Sequence, residues 1–169
     1  ATEDLGLENT DIKVTDRGAI EVNDFLESSV PGVYAVGDVN GGVQFTYTSL
    51  DDFRIVFGQL TGNSDYKRSD RINVPNTLFI KPALAQVGMT EAQAKESGLP
   101  YKTNSLPVAG MPRGHVNNDL RGLYKVVVNT ETNEILGATL FGTNSEEIIN
   151  LIKLAMDNKV PYTYLKNQV

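Results

Sequence analysis

The spacing of hydrophobic residues predicts two elements in the first third of the chain. Apolar side chains recur three and four positions apart, at Leu50, Phe53, Phe57 and Leu60, and Gly62 follows them. This spacing predicts an amphipathic helix that ends at Gly62, with Phe53, Phe57 and Leu60 facing a core. Upstream, residues 33–36 form a four-residue apolar run between Pro-Gly and Gly-Asp, which predicts a short buried strand.

A hairpin is predicted closer to the start. The extended stretches 12–14 and 19–22 flank the turn-forming run Asp16-Arg17-Gly18. The chain begins at Ala1 and opens on polar, turn-rich sequence, from which we expect a piece of a longer protein.

The pattern changes after a polar, charged stretch without periodicity, residues 63–73, which we interpret as a domain linker. Beyond it we predict a strand, a helix, three strands and a helix, at residues 77–80, 90–98, 101–108, 123–128, 135–141 and 144–158. Thr90 with Gln93 and Asn144 with Glu147 have the spacing of helix N-caps. Antiparallel strands with separate helices predict an α+β fold rather than a βαβ series.

Composition excludes several classes of function. The formal charge is −6 and the basic residues are scattered, so no nucleic-acid-binding stripe is present. The apolar runs are far shorter than the ~20 residues that a membrane span needs. The sequence contains no cysteine and a single histidine, His115, so we predict no metal site and no catalytic residue in this chain. We expect His115 to be exposed or structural.

The stretch with the clearest chemistry runs from residue 33 to 52. Gly37 allows a sharp turn, Asp38 follows at the end of the predicted strand, and a helix begins after the Gly41-Gly42 pair. Asp38 could accept hydrogen bonds from a polyhydroxylated ligand near the helix start, or it could close a turn on its own backbone. The adjacent Asp51 and Asp52 could be a metal or acid–base pair, but we favour helix-dipole complementarity.

Residues 29–38, SVPGVYAVGD, resemble the second FAD-binding signature of the pyridine nucleotide-disulfide oxidoreductase family. That family includes glutathione reductase, lipoamide dehydrogenase and mercuric reductase. The resemblance implies that Asp38, after Gly37, holds a ribityl hydroxyl of FAD. It also implies that the backbone of Thr46 approaches the flavin ring, and that Gln44 and Phe45 lie near that ring.

The resemblance extends past residue 73. NTLF at 76–79, AQVGMTEAQA at 85–94, YKVV at 124–127, ILGA at 135–138 and EEII at 146–149 are similar to motifs of the family's dimerisation domain. A homodimer is therefore implied. Whether the apolar positions of the last helix, Ile148, Leu151, Ile152 and Ala155, form a core or the dimer seam remains open.

Together these features predict an α+β dimerisation domain with an antiparallel sheet and flanking helices, preceded by a partial FAD-domain segment. The expected boundaries are 1–62 for the FAD-domain part, 63–73 for the linker and 74–169 for a truncated dimerisation domain. The parent is expected to be a cytoplasmic FAD- and NAD(P)H-dependent enzyme of redox homeostasis that reduces a disulfide or related acceptor.

The fragment itself is expected to be inactive. The family's G-x-G-x-x-G loop, redox cysteines and His-Pro motif do not occur in this sequence. The alternative is a complete small α+β module that dimerises without catalysis.

Overall fold

The computed structural model describes residues 2–169 of the chain. It divides the chain into two compact units, the first extending to Arg71 and the second being Ile72–Val169. Each unit has its own buried residues.

The second unit is built on one antiparallel sheet of five strands. The strands are β1 (Asn76–Leu78), β2 (Leu84–Gly88), β3 (Tyr101–Pro107), β4 (Leu123–Asn129) and β5 (Ile135–Phe141). Their order across the sheet is β1-β2-β5-β4-β3, and every neighbouring pair is antiparallel. The helices of this unit are α2 (Glu91–Ser97), α3 (Pro112–Val116), α4 (Ser145–Asp157) and α5 (Tyr162–Lys166). Helix α1 (Thr46–Thr61) lies in the first unit.

The core of this unit lies between one face of the sheet and α4. Alternate residues of the central strands are buried there, and Ile149 of α4 packs among them. The strand residues of this cluster are Ala85, Val87, Ala138 and Leu140. A second cluster joins Val128, Ile135 and Ala155 at the other end of the helix. The predicted α+β layer with an antiparallel sheet is thus confirmed.

Local signals located most of these elements. The Thr90 hydroxyl accepts from the Gln93 N–H while the Gln93 side chain accepts from the Thr90 N–H, and Gly98 ends α2 in the left-handed conformation. The β4–β5 hairpin is also as predicted. Its turn is held by the buried Asn129, whose side-chain oxygen accepts from the N–H groups of Glu131 and Thr132.

The second unit differs from prediction in several details, among them the short helices α3 and α5, which were not predicted. Strand β2 was not predicted, because its buried residues Ala85 and Val87 are small and few, and its pairing with the distant β5 decides its conformation. Asn144 precedes α4 but adopts a left-handed φ of 65° without a side-chain capping bond, so the predicted cap is wrong. A side chain on such a backbone does not point at the helix N–H groups that an extended N-cap reaches.

The first unit contains one long helix, α1 (Thr46–Thr61), and otherwise turns. Val14 and Ile20 form a single antiparallel bridge around the predicted hairpin turn, and a second such bridge joins Glu27 and Tyr34. In residues 33–36 only Ala35 is buried, whereas Val33 and Val36 are exposed. The predicted buried strand is therefore wrong for this chain: within residues 2–71 no sheet is present for the segment to join.

The orientation of α1 also differs from prediction. Its buried residues are Asp52, Ile55 and Gly58. The apolar face of α1, defined by Leu50, Phe53, Phe57 and Leu60, is exposed, with Phe53 and Leu60 at 55% and 69% of their accessible surface. The helix predicted from the periodicity is present, but a stripe of apolar residues does not specify which part of a protein covers it.

Candidate functional site

The candidate site is the turn that carries Asp38. Residues Gly37–Asn40 form one 3-10 turn that follows extended backbone at Val36 and ends at Gly41, whose φ is 70°. Gly37 also has a positive φ of 72°, and a Cβ added there would lie 2.9 Å from the Ser49 hydroxyl oxygen of α1. The turn therefore packs so closely on α1 that only glycine fits at its first residue.

Asp38 is exposed at the surface of this turn. Its backbone carbonyl accepts from the Gly41 N–H at 3.1 Å. Among residues 2–169, no donor hydrogen-bonds to its carboxylate. Asn40 adds a further bond, because its side-chain oxygen accepts from the Gly42 N–H at 3.0 Å. The backbone of Asp38 thus closes the turn, as the alternative interpretation held, while its carboxylate takes no part in it.

Gln44, Phe45 and Thr46 lie where the chain enters α1. All three are exposed, and Phe45 is the N-cap residue, with extended backbone and no side-chain capping bond. The first turn of α1 contains no acidic residue. Its N–H groups are therefore available to an electron-rich group, and the positive end of the helix dipole is not neutralised locally.

A partly buried ionic cluster contacts this turn through Asp52. Arg71 donates from Nε to an Asp51 carboxylate oxygen at 2.6 Å and from its terminal nitrogen to Asp52. The Tyr66 hydroxyl donates to the same Asp51 oxygen at 3.0 Å. Asp52 is 1% exposed. Burial lowers the pKa of Arg71, but its hydrogen bonds to Asp52 and Asp51 outweigh that effect and raise the pKa above its ordinary value.

This cluster corrects our interpretation of the two aspartates. Because α1 begins at Thr46, Asp51 and Asp52 lie in its second turn, beyond the reach of most of the dipole effect. Their partner Arg71 is about twenty positions away in the polar stretch 63–73, and nothing in local spacing connects them. The only sequence signal was a charged pair beside an otherwise apolar helix face.

The remaining candidate, His115, is exposed as expected. It lies in α3, and its ring nitrogen Nε2 is 2.9 Å from the carbonyl oxygen of Ala109, in the 3-10 turn that precedes this helix. In residues 2–169 no group of three or more His, Asp or Glu side chains could hold a metal ion. None of the described helices is long and apolar enough to cross a membrane.

The residues of the turn fit the flavin site that the sequence resemblance implies. Asp38 has its acceptor oxygens open to ligand hydroxyls. The glycine at position 37 lets the backbone pass close to α1, and the start of α1 offers unpaired N–H groups. A polyhydroxylated chain attached to an electron-rich ring system is a ligand that such a site can hold.

Two models of one protein family match this chain. The dimerisation-domain model of the pyridine nucleotide-disulphide oxidoreductases matches residues 74–169, and the family's pyridine nucleotide-disulphide oxidoreductase model matches residues 1–52. The chain belongs to the pyridine nucleotide-disulphide oxidoreductase family. The family predicted from the motifs at 29–38 and 76–149 is thereby confirmed.

Individual members of the family show the same relationship. The probable pyridine nucleotide-disulfide oxidoreductase RclA of Escherichia coli is 47% identical over all 169 residues, which span 38% of that protein. A solved structure described as the HOCl-induced flavoprotein disulfide reductase RclA superposes with a TM-score of 0.95 at 46% identity, covering the whole of this chain and 39% of that one. A mercuric reductase of Staphylococcus aureus is 38% identical over 92% of this chain and 28% of its own length.

The chain therefore spans about a third of the length of the curated relatives that it matches. It contains a dimerisation domain of the pyridine nucleotide-disulphide oxidoreductase family and part of a second family domain.

Proposed function

We propose that this chain is the C-terminal part of an FAD-dependent, NAD(P)H-linked oxidoreductase that acts on a disulfide or related acceptor. In that protein the chain supplies one loop to the flavin site and the homodimer interface. Its family membership and its identity to a relative described as a flavoprotein disulfide reductase support the proposal. Because RclA is described as HOCl-induced, we extend the proposal to a role in redox homeostasis, and we propose a cytoplasmic location for the full-length protein.

Asp38 is the residue that binds the cofactor in this proposal. Its exposed carboxylate accepts a hydrogen bond from a ribityl hydroxyl, and Gly37 gives the backbone the sharp turn that places Asp38 at the surface. A carboxylate accepts such bonds about twice as strongly as a neutral group does. FAD supplies the hydride and electron transfer, which no side chain of this segment can perform.

The start of α1 has the second role. With FAD bound, the backbone N–H of Thr46 and the helix dipole would favour added negative charge on the flavin ring, and Gln44 and Phe45 would lie near that ring. The absence of acidic residues in the first turn supports this role, because a carboxylate there would oppose such charge.

The domain organisation follows from the same proposal. Residues 1–62 form the C-terminal part of the FAD-binding domain, residues 63–73 the linker and residues 74–169 the dimerisation domain. Alone, the chain has neither the redox thiols nor the dinucleotide-binding loop, since its sequence contains no cysteine and no G-x-G-x-x-G. We therefore expect the isolated chain to be colourless and inactive.

The single observation that carries the proposal is the exposed Asp38 carboxylate without a partner in residues 2–169. It is tested by changing Asp38→Asn in the full-length parent and titrating the apoprotein with FAD. We expect the affinity for FAD to fall about tenfold or more, because hydrogen bonds to charged groups contribute about 1.5–3 kcal/mol. Quenching of flavin fluorescence measures the change.

The matched control is Asp11→Asn, which removes another exposed carboxylate of the same unit. Unchanged FAD affinity in Asp38→Asn, or an equal loss in both variants, would contradict the role of Asp38.

A further inference from the structure

The proposed function leaves one fully buried carboxylate unexplained. Asp52 lies in the second turn of α1 and is 1% exposed. Burying a carboxylate is costly unless hydrogen bonds and an opposite charge compensate for the lost water. Asp52 has such partners on both of its oxygens, and they belong to two different segments of the chain.

One oxygen of Asp52 is bound to the turn that carries Asp38. Its Oδ2 atom accepts from the Gly37 N–H at 2.7 Å and from the Asn40 side-chain amide at 2.9 Å. Gly37 and Asn40 are the first and last residues of the 3-10 turn. A single carboxylate oxygen therefore holds both ends of the four-residue turn.

Asn40 also hydrogen-bonds to residues before and after the turn. The same side-chain amide also donates to the Ala35 carbonyl at 3.1 Å, and the Asn40 side-chain oxygen accepts from the Gly42 N–H. The backbone before and after the turn is thus connected to Asp52 through one side chain. Asp38 takes no part in this network, which leaves its carboxylate exposed.

The other oxygen of Asp52 is bound to Arg71. That guanidinium also contacts Asp51, so it balances the charge of two neighbouring carboxylates. Asp51 makes no hydrogen bond to the turn in the described part of the chain; its partners are Arg71, Arg54 and the Tyr66 hydroxyl. Both aspartates therefore contact the guanidinium of Arg71, but only Asp52 is hydrogen-bonded to the turn Gly37–Asn40.

We infer that Asp52 is a positioning residue for the flavin site: it fixes the turn Gly37–Asn40 so that Asp38 meets the ribityl chain, and Arg71 balances its charge. The inference rests on the proposed function, since it assumes that Asp38 binds FAD. Asp52 itself is buried and does not touch the cofactor.

The difference between the two aspartates supplies the test. In the full-length parent, Asp52→Asn places an amide where Oδ2 or Oδ1 accepted, so at least one N–H donor loses its acceptor. We expect the affinity for FAD to fall by about tenfold or more, the cost of losing a charge-assisted hydrogen bond. Asp51→Asn removes the same charge beside the same arginine, and we expect its FAD affinity to stay within about threefold of the parent's.

A spectroscopic readout separates positioning from a general loss of stability. If the turn moves, the visible circular dichroism of the bound flavin changes in Asp52→Asn but not in Asp51→Asn. Asn40→Ser serves as a second variant should Asp52→Asn fail to fold, because it leaves the Asp52–Arg71 ion pair intact and removes the amide link. We expect it to change the flavin dichroism in the same direction and to weaken FAD binding about threefold to tenfold.

The results with these variants separate the positioning role of Asp52 from the proposed function. Loss of FAD affinity in Asp38→Asn with normal affinity and dichroism in Asp52→Asn or Asn40→Ser would overturn the positioning role alone. Equal losses in Asp51→Asn and Asp52→Asn would also overturn it, because the cluster would then act through charge or stability. Normal affinity in Asp38→Asn would instead overturn the proposed function.

Discussion

The two units of this chain differ in how completely they bury their apolar side chains. The unit 72–169 covers one face of a five-stranded sheet with α4 and buries Val87, Leu140 and Ile149 almost completely. The unit ending at Arg71 has few buried apolar side chains and leaves the apolar face of α1 exposed. Its ordered features are turns, two isolated bridges and polar networks such as the one around Asp52.

In the proposed longer protein, the two units would depend differently on the rest of the molecule. A sheet with all of its strands in one segment forms its hydrogen bonds and its core without outside help. A helix with an exposed apolar stripe and a strand segment without a sheet need further structure to bury them, and large exposed apolar patches mark such interaction surfaces. This accords with a chain that spans about a third of its relatives.

Hydrogen exchange of the isolated 169-residue chain should show this contrast most strongly. We expect amides of β4 and β5 to exchange about a hundredfold or more slowly than those of residues 12–45, a difference of about 3 kcal/mol in local opening. The ladders of β4 and β5 are backed by the core, whereas the first unit has isolated bridges. Exchange measured by mass spectrometry checks this, and equal protection in both units would break the comparison.

Truncation of one large side chain in each unit tests the same contrast energetically. We expect Ile149→Ala to lower the free energy of unfolding by about 2–5 kcal/mol, because Ile149 is 1% exposed in the main core. Phe53→Ala removes a larger side chain but should cost about 1 kcal/mol or less, since Phe53 is 55% exposed and its ring pairs with that of Phe57.

Urea unfolding followed by circular dichroism measures both changes. A loss in Phe53→Ala as large as that in Ile149→Ala would mean that the apolar face of α1 is covered in solution, for instance by a second copy of the chain.

The smallest expected effect concerns acid stability of the second unit. Burial raises the pKa of Asp157, but hydrogen bonds from Lys153 and Asn73 outweigh it, so the pKa lies below its ordinary value. A depressed carboxyl pKa contributes stability above about pH 4 that is lost as the pH falls through the folded-state pKa. Asp157→Asn should therefore cost about 0.5 kcal/mol at neutral pH and flatten the loss of stability below pH 4.

Unfolding titrations from pH 7 to pH 2 check this slope. Glu147→Gln, an exposed position on the same helix, serves as the control and should leave the slope unchanged. An unaltered slope in Asp157→Asn would show that this carboxylate does not contribute.

Local sequence signals predicted the second unit well. The Thr90 and Gln93 cap, Gly98, and the alternating strands of the β4–β5 hairpin act over a few residues, so their outcome can be read from spacing. Strand β2 was missed because its place depends on pairing with β5, about fifty positions later. Non-local pairing of this kind has no local sequence pattern.

The site was predicted in part for the same reason. Gly37 and Asp38 stand out by residue type and spacing, and the structure places them together in one exposed turn. The Asp52–Arg71 pair could not be predicted, because it joins positions nineteen residues apart in a region without periodicity.

By itself, the sequence determined which residues form α1, α4 and the hairpin, where the glycine turns lie, and which family the chain resembles. Tertiary structure alone decided which face of α1 is buried, that residues 33–36 join no sheet within residues 2–169, and that Asp52 holds the Asp38 turn. Periodicity and turn chemistry depend on neighbours along the chain. Burial and ion pairing depend on groups that are distant along the chain and displace water from one another. Only the folded structure decides which groups these are.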